Sequence, residues 1–356
     1  MTADPKRLED ATALASLDPG GMIGLVAGLG SQLRSGFELG RSVEEPPSGE
    51  GVRSIAVCGM GGSGIAGDIL RSLFSARLPF PIVVTKGYEL PEFCGRDTVV
   101  IVSSYSGDTE ETLSAFEEGV RRGCRVVSVS AGGELGSRSA SQAVPHVAVP
   151  KDIPVPRAAL GYLAAAPIGL LDIMGLVPPA ADDVARASES LDSLAPSLGA
   201  DVPAEENVAK ALAVWLLGRT PLIWGSEGLA EAPALRWKTQ MNENAKVPAF
   251  HALLPELDHN DVEGWSPSTG TPYGVVVLRH AAEHPRIAAR VDATFDVIAE
   301  AGLEGREVSA PGPDPMDILF SLIMLGDFTS TYLGLARGID PTPVPVLMGL
   351  KERLRR

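Results

Sequence analysis

Four glycines follow directly on a short apolar run and form the first feature of the sequence that can do chemistry. Gly59, Gly61, Gly62 and Gly64 come after Ile55–Cys58, which has the length and composition of a strand buried on both faces. Apolar residues at helical spacing follow the glycines. A strand, a glycine turn and a helix place free backbone N–H groups and the positive end of a helix at one point. Such a point attracts an anion, most often a phosphate.

Three other interpretations of the glycine turn have to be considered. Gly59, Gly61 and Gly64 satisfy the G-x-G-x-x-G pattern of dinucleotide-binding folds. The next expected strand, however, ends in Lys86 instead of an acidic residue that binds ribose, and Glu89 comes late. The P-loop pattern fails because no Gly-Lys-Ser/Thr follows. The third interpretation, which stays open, is a tight turn that only lets the helix pack closely on the strand.

A second polar segment follows the apolar run Val99–Val102 and carries three hydroxyl side chains, Ser104, Ser106 and Thr109. A helix is expected after them, and one hydroxyl is enough to cap its first turn. Because the segment offers three hydroxyls, we predict that it faces the glycine turn and holds a phosphate monoester by several hydrogen bonds. A capping cluster without a ligand is the alternative.

Two charged residues have the setting of functional groups. Arg157 follows a rigid Pro-x-Pro and precedes a long apolar helix, so its guanidinium should have a partner. Glu243 shares one face of an expected helix with Arg236 and Gln240. The alternative for that face is a solvated surface on which Glu243 pairs with Lys246.

The histidines offer one motif of metal chemistry, which we reject. His280, Glu283 and His284 fit H-x-x-E-H, the inverted zinc-protease motif. His280 is expected to end a strand and Pro285 follows His284 directly, so the two histidines should not share a helical turn. The five histidines show no other metal-ligand spacing, and we therefore expect no metal site.

Strands and helices alternate around these residues and have to position them. The expected strands are Ile55–Cys58, Ile82–Thr85, Val99–Val102, Val126–Ser130 and Val147–Val149, followed later in the chain by Leu222–Trp224, Gly274–Leu278 and Arg306–Ser309. Such alternation predicts an α/β fold in which mainly parallel sheets are flanked by helices. Ligands of such sheets bind beyond the carboxyl ends of the strands, where both polar segments lie.

Length and composition predict two lobes. The chain has 356 residues, which exceeds the usual size of one domain, and 45% of them are hydrophobic, enough for substantial cores. The expected divisions are an N-terminal helical segment at 1–50, a first lobe at 51–177, a connecting region at 178–205, a second lobe at 206–346 and a basic C-terminal helix at 347–356.

Charge and cysteine usage exclude several classes of protein. The net charge of −15 argues against nucleic acid or an anionic membrane as a partner. The three cysteines give neither a disulfide framework nor a zinc pattern, and the charged N-terminus is unlike a signal peptide, so we expect a cytoplasmic protein.

Two apolar stretches, Ala158–Val177 and Ile318–Ala336, have the length of a membrane span. Each contains an interior aspartate, Asp172 in the first and Asp327 in the second. A charge at the centre of a span costs about 3 kcal/mol. Both stretches are therefore expected to be core helices, and no membrane partner is predicted.

Taken together, the two polar segments resemble the phosphosugar pocket of the sugar isomerase (SIS) domain. Three further segments resemble signatures of the bifunctional phosphoglucose/phosphomannose isomerases, which have two SIS domains and belong to the phosphoglucose isomerase superfamily: Pro156–Leu163, Arg236–Lys246 and Pro255–Asn260. The resemblance covers nearly the whole chain, with the motifs in order. It implies two SIS-type lobes, each a three-layer αβα structure. It also implies a metal-independent and cofactor-free enzyme that interconverts glucose 6-phosphate and/or mannose 6-phosphate with fructose 6-phosphate through an enediol(ate).

The resemblance further implies roles for individual residues. Glu243 would be the base that moves the proton, Arg157 would stabilise the enediolate, and His259 and Lys351 would serve ring opening. His259 would reach the pocket from a neighbouring subunit, which implies a homodimer. A solvated basic tail is the alternative for Lys351. The residues that would hold the phosphate of the hexose substrate are Gly62, Ser63, Ser104, Ser106 and Thr109.

A non-catalytic phosphosugar-binding or regulatory SIS protein is the alternative function. Such a protein would need the two pocket segments but not Glu243, His259, Arg157 and Lys351 together. The joint presence of these four residues favours the enzyme.

Overall fold

A computed structural model describes residues 3–266 and 273–354 of the protein. Nine strands in these ranges form two parallel sheets. The strands within this part of the chain are β1 Ser54–Gly59, β2 Ile82–Thr85, β3 Thr98–Ser103, β4 Arg125–Ser130, β5 His146–Ala148, β6 Thr220–Ser226, β7 Phe250–Leu254, β8 Tyr273–Arg279 and β9 Glu304–Ser309. The predicted α/β fold with parallel sheets flanked by helices is confirmed.

Helices occupy most of the chain between the strands. The helices of the described ranges are α1 Ala11–Leu17, α2 Met22–Ala27, α3 Leu29–Arg41, α4 Gly61–Phe74, α5 Glu110–Arg121, α6 Gly133–Ser141, α7 Leu160–Ile173, α8 Ala181–Leu194, α9 Val208–Leu216, α10 Glu231–Glu243, α11 Pro285–Glu300, α12 Pro315–Ala336 and α13 Pro345–Leu354. The first three form the N-terminal helical segment that the sequence predicts. Where the domains begin and end stays a prediction.

The first sheet has the strand order β2-β1-β3-β4-β5, and all of its neighbours run parallel. The chain moves outward to β2 from β1 and returns to the other side of β1 with β3, so the order reverses between β1 and β3. All six residues of each of these two central strands are buried. Such a reversal leaves a crevice at the carboxyl ends of the two strands, which is the usual place of a ligand in an open α/β sheet.

The second sheet has the order β7-β6-β8-β9, again with parallel neighbours. The sequence predicts only three strands here, and β7 corrects that prediction. β7 lies at the edge of the sheet, and its Phe250 is 58% exposed. It is short and lies between Pro248 and Pro255. Its apolar residues therefore lack the burial pattern by which a central strand is recognised.

One apolar core joins the two sheets. The largest cluster of buried residues contains Ile55 of β1 and Ile223 of β6, together with most of the apolar side chains of α7 and α12. Among the described residues, α12 is the one helix with the length and apolar composition of a membrane span, and its most apolar window is 100% buried inside the protein. The α12 helix is therefore a core helix of this fold, as the sequence predicts.

The C-terminal helix α13 differs from the rest because none of its described residues is buried. Its exposed apolar residues are Val346, Leu347, Met348, Leu350 and Leu354. The predicted basic helix at 347–356 thus exists, beginning two residues earlier, while its last two arginines, Arg355 and Arg356, lie outside the described residues.

Candidate active site

The register of the first sheet brings the two polar segments together. Gly59, the last residue of β1, pairs with Ser103, the last residue of β3. The glycine turn and the hydroxyl segment therefore leave the sheet side by side, at the point where the strand order reverses. The expected meeting of the two segments beyond the carboxyl ends of the strands is confirmed.

The glycines are part of a helix and not only of a turn before it. α4 begins at Gly61, and the backbone N–H groups of Ser63 and Gly64 both donate to the carbonyl of Met60, at 3.0 and 3.1 Å. Because the first N–H groups of a helix have no partner within it, those of Gly61 and Gly62 are the ones that remain for a ligand. The helix starts about one turn earlier than its apolar spacing predicts.

Gly62 also brings the helix start against the backbone of Arg157. A Cβ atom at Gly62 would fall 2.9 Å from the backbone nitrogen of Arg157 and 3.1 Å from its Cα. A side chain at this position would push the two segments apart. The absence of a side chain at Gly62 is therefore what allows the expected phosphate site and Arg157 to lie in contact.

Ser63 links the two polar segments directly. Its Oγ accepts a hydrogen bond from the backbone N–H of Tyr105 at 2.9 Å, and only 5% of Ser63 is exposed. The Tyr105 hydroxyl donates to the carbonyl of Ile153 at 3.0 Å and accepts from the Ile153 N–H at 3.1 Å. Tyr105 thereby ties the hydroxyl segment to the chain that leads into Arg157. Sequence reasoning did not single out Tyr105, whose only signal was its place between two serines.

The hydroxyls of the second segment mostly bond to one another and to their own loop. The Oγ of Ser104 lies 2.9 Å from the Oγ1 of Thr109 and accepts from the N–H of Gly107 at 3.2 Å. Ser106 is exposed, and its Oγ accepts from the N–H of Asp108 at 3.2 Å. Thr109 precedes α5 without a side-chain capping bond to it. The interpretation of the segment as a capping cluster is therefore wrong.

Arg157 is the most enclosed of the predicted site residues. It is 2% exposed, and its Nε donates to the Oδ1 of Asn244 at 2.8 Å. Its Nη1 lies 3.3 Å from the Oε2 of Glu243. Burial lowers the pKa of Arg157, while the Glu243 carboxylate acts in the opposite direction. The expectation that this buried charge has a partner is confirmed.

Glu243 is the last residue of α10, and its side chain is 30% exposed. A carboxylate that is partly open to solvent and has a fixed cation beside it can reach a ligand. The alternative pairing of Glu243 with Lys246 is not what the structure has. The Lys246 Nζ donates to the backbone carbonyl of Glu243, and the described ion pair of the Glu243 carboxylate is with Arg157.

The helix face that Glu243 shares is buried and not solvated, which corrects the other part of that alternative. Arg236 is 2% exposed and Gln240 1% exposed. The Arg236 guanidinium makes a two-point ion pair with Asp327 of α12, from Nε to Oδ1 at 3.0 Å and from Nη2 to Oδ2 at 2.8 Å. Arg236 Nη2 also donates to the Arg157 carbonyl at 2.8 Å. The buried pair therefore also holds the backbone carbonyl of Arg157 in place.

His259 and Lys351 lie apart from this cluster. His259 is the exposed last residue of a short 3₁₀ helix, Glu256–His259, that follows β7. Lys351 lies on the exposed α13. None of the contacts found among the described residues links either side chain to Arg157 or Glu243. The structure of one chain thus brings together the phosphate segments, the arginine and the glutamate, but not the two residues expected to open the sugar ring.

The H-x-x-E-H motif does not form a metal site. His280 follows β8, and His284 precedes α11, where its Nδ1 accepts from the Arg286 N–H at 3.1 Å. Glu283 instead pairs with Arg279 at 3.0 Å. The prediction that the two histidines do not share a helical turn is confirmed. In the described ranges no group of three or more His, Cys, Asp or Glu side chains is arranged to hold a metal ion.

Comparison with known proteins identifies relatives of this chain that are named as sugar-phosphate isomerases. The chain is 33% identical over 335 residues to the bifunctional phosphoglucose/phosphomannose isomerase of Caldicellulosiruptor bescii, an alignment that covers 92% of this chain and 97% of that one. This chain belongs to the bifunctional phosphoglucose/phosphomannose isomerase family. The family member of Aquifex aeolicus is 33% identical over 306 residues, covering 85% of this chain and 91% of its own.

Two further comparisons concern the second half of the chain and the fold. Residues 205–354 match the model of the bacterial phospho-glucose isomerase C-terminal SIS domain. A solved structure of a hypothetical protein from Thermus thermophilus has a TM-score of 0.73 at 18% identity, covering 98% of this chain and 94% of that one. That likeness concerns the fold alone.

Proposed function

We propose that this chain is a metal-independent aldose–ketose isomerase that interconverts glucose 6-phosphate and/or mannose 6-phosphate with fructose 6-phosphate. The observation that carries the proposal is the Arg157–Glu243 pair, at 3.3 Å, next to the helix start at Gly62. An aldose–ketose isomerase needs a base that reaches two neighbouring carbons, a cation for the oxyanion that develops and a site for the phosphate. In this proposal Glu243 is the base, Arg157 is the cation and the start of α4 is the site for the phosphate.

The phosphate has a complete set of donors in this proposal. The free N–H groups at the start of α4 and the hydroxyls of Ser63, Ser104, Ser106 and Thr109 supply hydrogen bonds without a formal cation. Ser104 and Thr109 now bond to each other at 2.9 Å, and a hydroxyl pair can turn its protons toward an incoming oxyanion. The protein carries a net charge of −15, so neutral donors and a helix end have to hold the anion locally.

The proton transfer is assigned to Glu243. With the phosphate anchored at α4, the open-chain sugar extends toward the end of α10, where the carboxylate can take a proton from C2 of the aldose and return it to C1. Electrons of the broken C–H bond form the enediolate, and its negative oxygen lies within reach of the Arg157 guanidinium. Transfer of the hydroxyl proton from O2 to O1 of the enediolate, together with return of the carbon-bound proton to C1, yields the ketose.

Ring opening is assigned to His259 and Lys351, and we extend the proposal to a homodimer in which His259 comes from the second copy. Two observations support this. His259 is exposed, with no described contact to the pair of its own chain, and α13 carries five exposed apolar residues of the kind that mark an interface. A cytoplasmic enzyme of hexose phosphate interconversion, in glycolysis and gluconeogenesis, is the corresponding cellular role.

A coupled assay tests the proposal. Purified protein is treated with EDTA, gel-filtered and mixed with glucose 6-phosphate, mannose 6-phosphate and a panel of other sugar phosphates. We expect fructose 6-phosphate to form at the rate of untreated protein. Binding of sugar phosphates without any turnover would support the non-catalytic phosphosugar-binding protein instead, and activity restored only by zinc would contradict metal independence.

A further inference from the structure

The C-terminal segment at 339–342 contacts both Arg157 and Lys246, which lies three residues after the end of α10. The carbonyl of Pro341 accepts two hydrogen bonds, from the Nη2 of Arg157 at 2.8 Å and from the Nζ of Lys246 at 3.1 Å. The neighbouring carbonyl of Thr342 accepts from the same Arg157 nitrogen at 2.8 Å. Two backbone carbonyls of one segment thus meet two cations that come from different halves of the chain.

Among the residues that the structure describes, these contacts leave Arg157 with one N–H donor that has no partner. A guanidinium has five N–H groups. The Nε–H donates to Asn244, one Nη1–H to Glu243, and both Nη2–H groups to the carbonyls of Pro341 and Thr342. Only the second Nη1–H remains for a substrate oxygen. The orientation of Nη1 depends on the two carbonyls, because they hold Nη2, the other terminal nitrogen of the same planar group.

Lys246 has a backbone conformation that its residue type disfavours. Its φ is 55°, in the left-handed region, which a residue with a Cβ atom adopts less readily than glycine. The side chain compensates by donating to the Glu243 carbonyl as well as to that of Pro341. Burial, with the charge of Arg157, lowers the pKa of Lys246 to about 8, against the opposing charges of Asp340 and Glu243. A glycine would adopt this backbone conformation more easily, and we therefore infer that the Lys246 side chain has a functional role.

We propose that Lys246 is a positioning residue that clamps the C-terminal segment 339–342 against Arg157 and thereby fixes the guanidinium beside Glu243. The inference rests on the proposed isomerase function and goes beyond the four catalytic residues named for it. Lys246 touches no reacting atom. It acts through Pro341, whose carbonyl it shares with Arg157.

The clamp predicts a particular split of kinetic constants. Without Lys246 the carbonyl of Pro341 loses one of its two donors. The segment 339–342 is then held less firmly against Arg157, and the partners of the Arg157 Nη2 are less well fixed. The phosphate segments at α4 are not part of the clamp, so binding of the substrate phosphate should persist. Loss of orientation by about 1 Å can lower a rate by about 100-fold. The effect should therefore fall on kcat and not on KM.

The test variant is Lys246→Gly, because glycine relieves the backbone strain while it removes the clamp. We expect kcat to fall by about 10- to 100-fold, KM to change by less than about threefold, and the thermal midpoint not to decrease. Hydrogen–deuterium exchange should become faster in the peptide that covers 337–349. Lys246→Arg keeps the charge and a reaching donor, and it should recover part of kcat. Ala143→Gly is the matched control, since Ala143 has a φ of 53° away from the site and its variant should keep full activity.

The outcomes separate the clamp from the isomerase proposal. An active wild-type enzyme whose Lys246→Gly variant keeps its kcat would overturn the clamp and leave the isomerase intact. A lower kcat with unchanged exchange at 337–349 would also overturn it, because the segment would not have been released. A wild-type protein without isomerase activity would remove the proposed function, and unchanged exchange in Lys246→Gly would then still decide against the clamp.

Discussion

The Nη1 atom of Arg157 lies 3.3 Å from the Oε2 atom of Glu243, although 86 positions separate the two residues in the chain. Arg157 enters from the segment that follows the first sheet, and Glu243 ends the helix that follows β6 of the second. The pair therefore exists only when the two halves of the chain are packed on each other. A reaction that needs both charges therefore requires the whole fold and cannot be carried out by either half alone.

The phosphate segments predict an effect on substrate affinity. Ser104→Ala combined with Ser106→Ala should raise KM for sugar phosphates by at least about tenfold, while kcat at saturation changes much less. Hydrogen bonds to a charged group contribute about 1.5–3 kcal/mol each, and a phosphate held equally in the ground and transition states contributes uniform binding. Steady-state kinetics measure both constants. Ser141→Ala, an exposed serine of α6, is the control, and an unchanged KM in the double variant would remove these hydroxyls from the phosphate site.

The Arg236–Asp327 pair predicts an effect on stability. Asp327→Asn leaves Arg236, which is 2% exposed, without its counter-charge in the core, and breaking a buried pair from one side costs about 3–5 kcal/mol. Urea denaturation should show this loss. The double replacement Arg236→Met with Asp327→Leu should recover most of the stability but not the activity, because Arg236 also holds the Arg157 carbonyl. A fully active double variant would show that this support is dispensable.

The buried thiols predict how stability depends on pH. Burial raises the pKa of Cys58 to about 12 and that of Cys94 to about 11, whereas the thiols of the unfolded chain ionise near about 8.5. A group whose pKa is raised by folding contributes stability that is fully present below its unfolded pKa and is lost as the pH rises toward the folded value. The free energy of unfolding in urea should therefore decrease between about pH 8 and about pH 10. Cys58→Ala should show a shallower decrease, and an unchanged slope would count against this origin.

Local features of the sequence were sufficient for the frame of the site. The central strands, the glycine start of α4 and the hydroxyl segment are each encoded by neighbouring residues, and their meeting follows from the rule on the carboxyl ends of parallel strands. The edge strand β7 was missed because its exposed face lacks the pattern of a buried strand. Its position is set by pairing with β6, which no local signal records.

Contacts between segments that are far apart in the chain could not be predicted from such local features of the sequence. One interpretation of the sequence puts Arg236 on a solvated helix face, whereas Arg236 pairs with Asp327 in the core. Asp327 is a charge inside an apolar helix, and such a charge predicts a buried cation as its partner. No comparable signal pointed to Asn244 or to the carbonyl of Pro341, because a backbone group or an amide gains its role only from the geometry around it.

Glu243→Gln tests the central claim most directly. Glutamine keeps the shape and one acceptor of the side chain but has no usable basicity, and general base catalysis typically contributes about 10²–10⁴-fold. The measurement is the incorporation of solvent deuterium into C1 of fructose 6-phosphate, followed by NMR, in parallel with the affinity for a five-carbon sugar-acid phosphate that mimics the enediolate. The wild-type enzyme should exchange, and Glu243→Gln should not, while both bind the mimic with similar affinity. Exchange at the wild-type rate in the variant would contradict the assignment of Glu243 as the base.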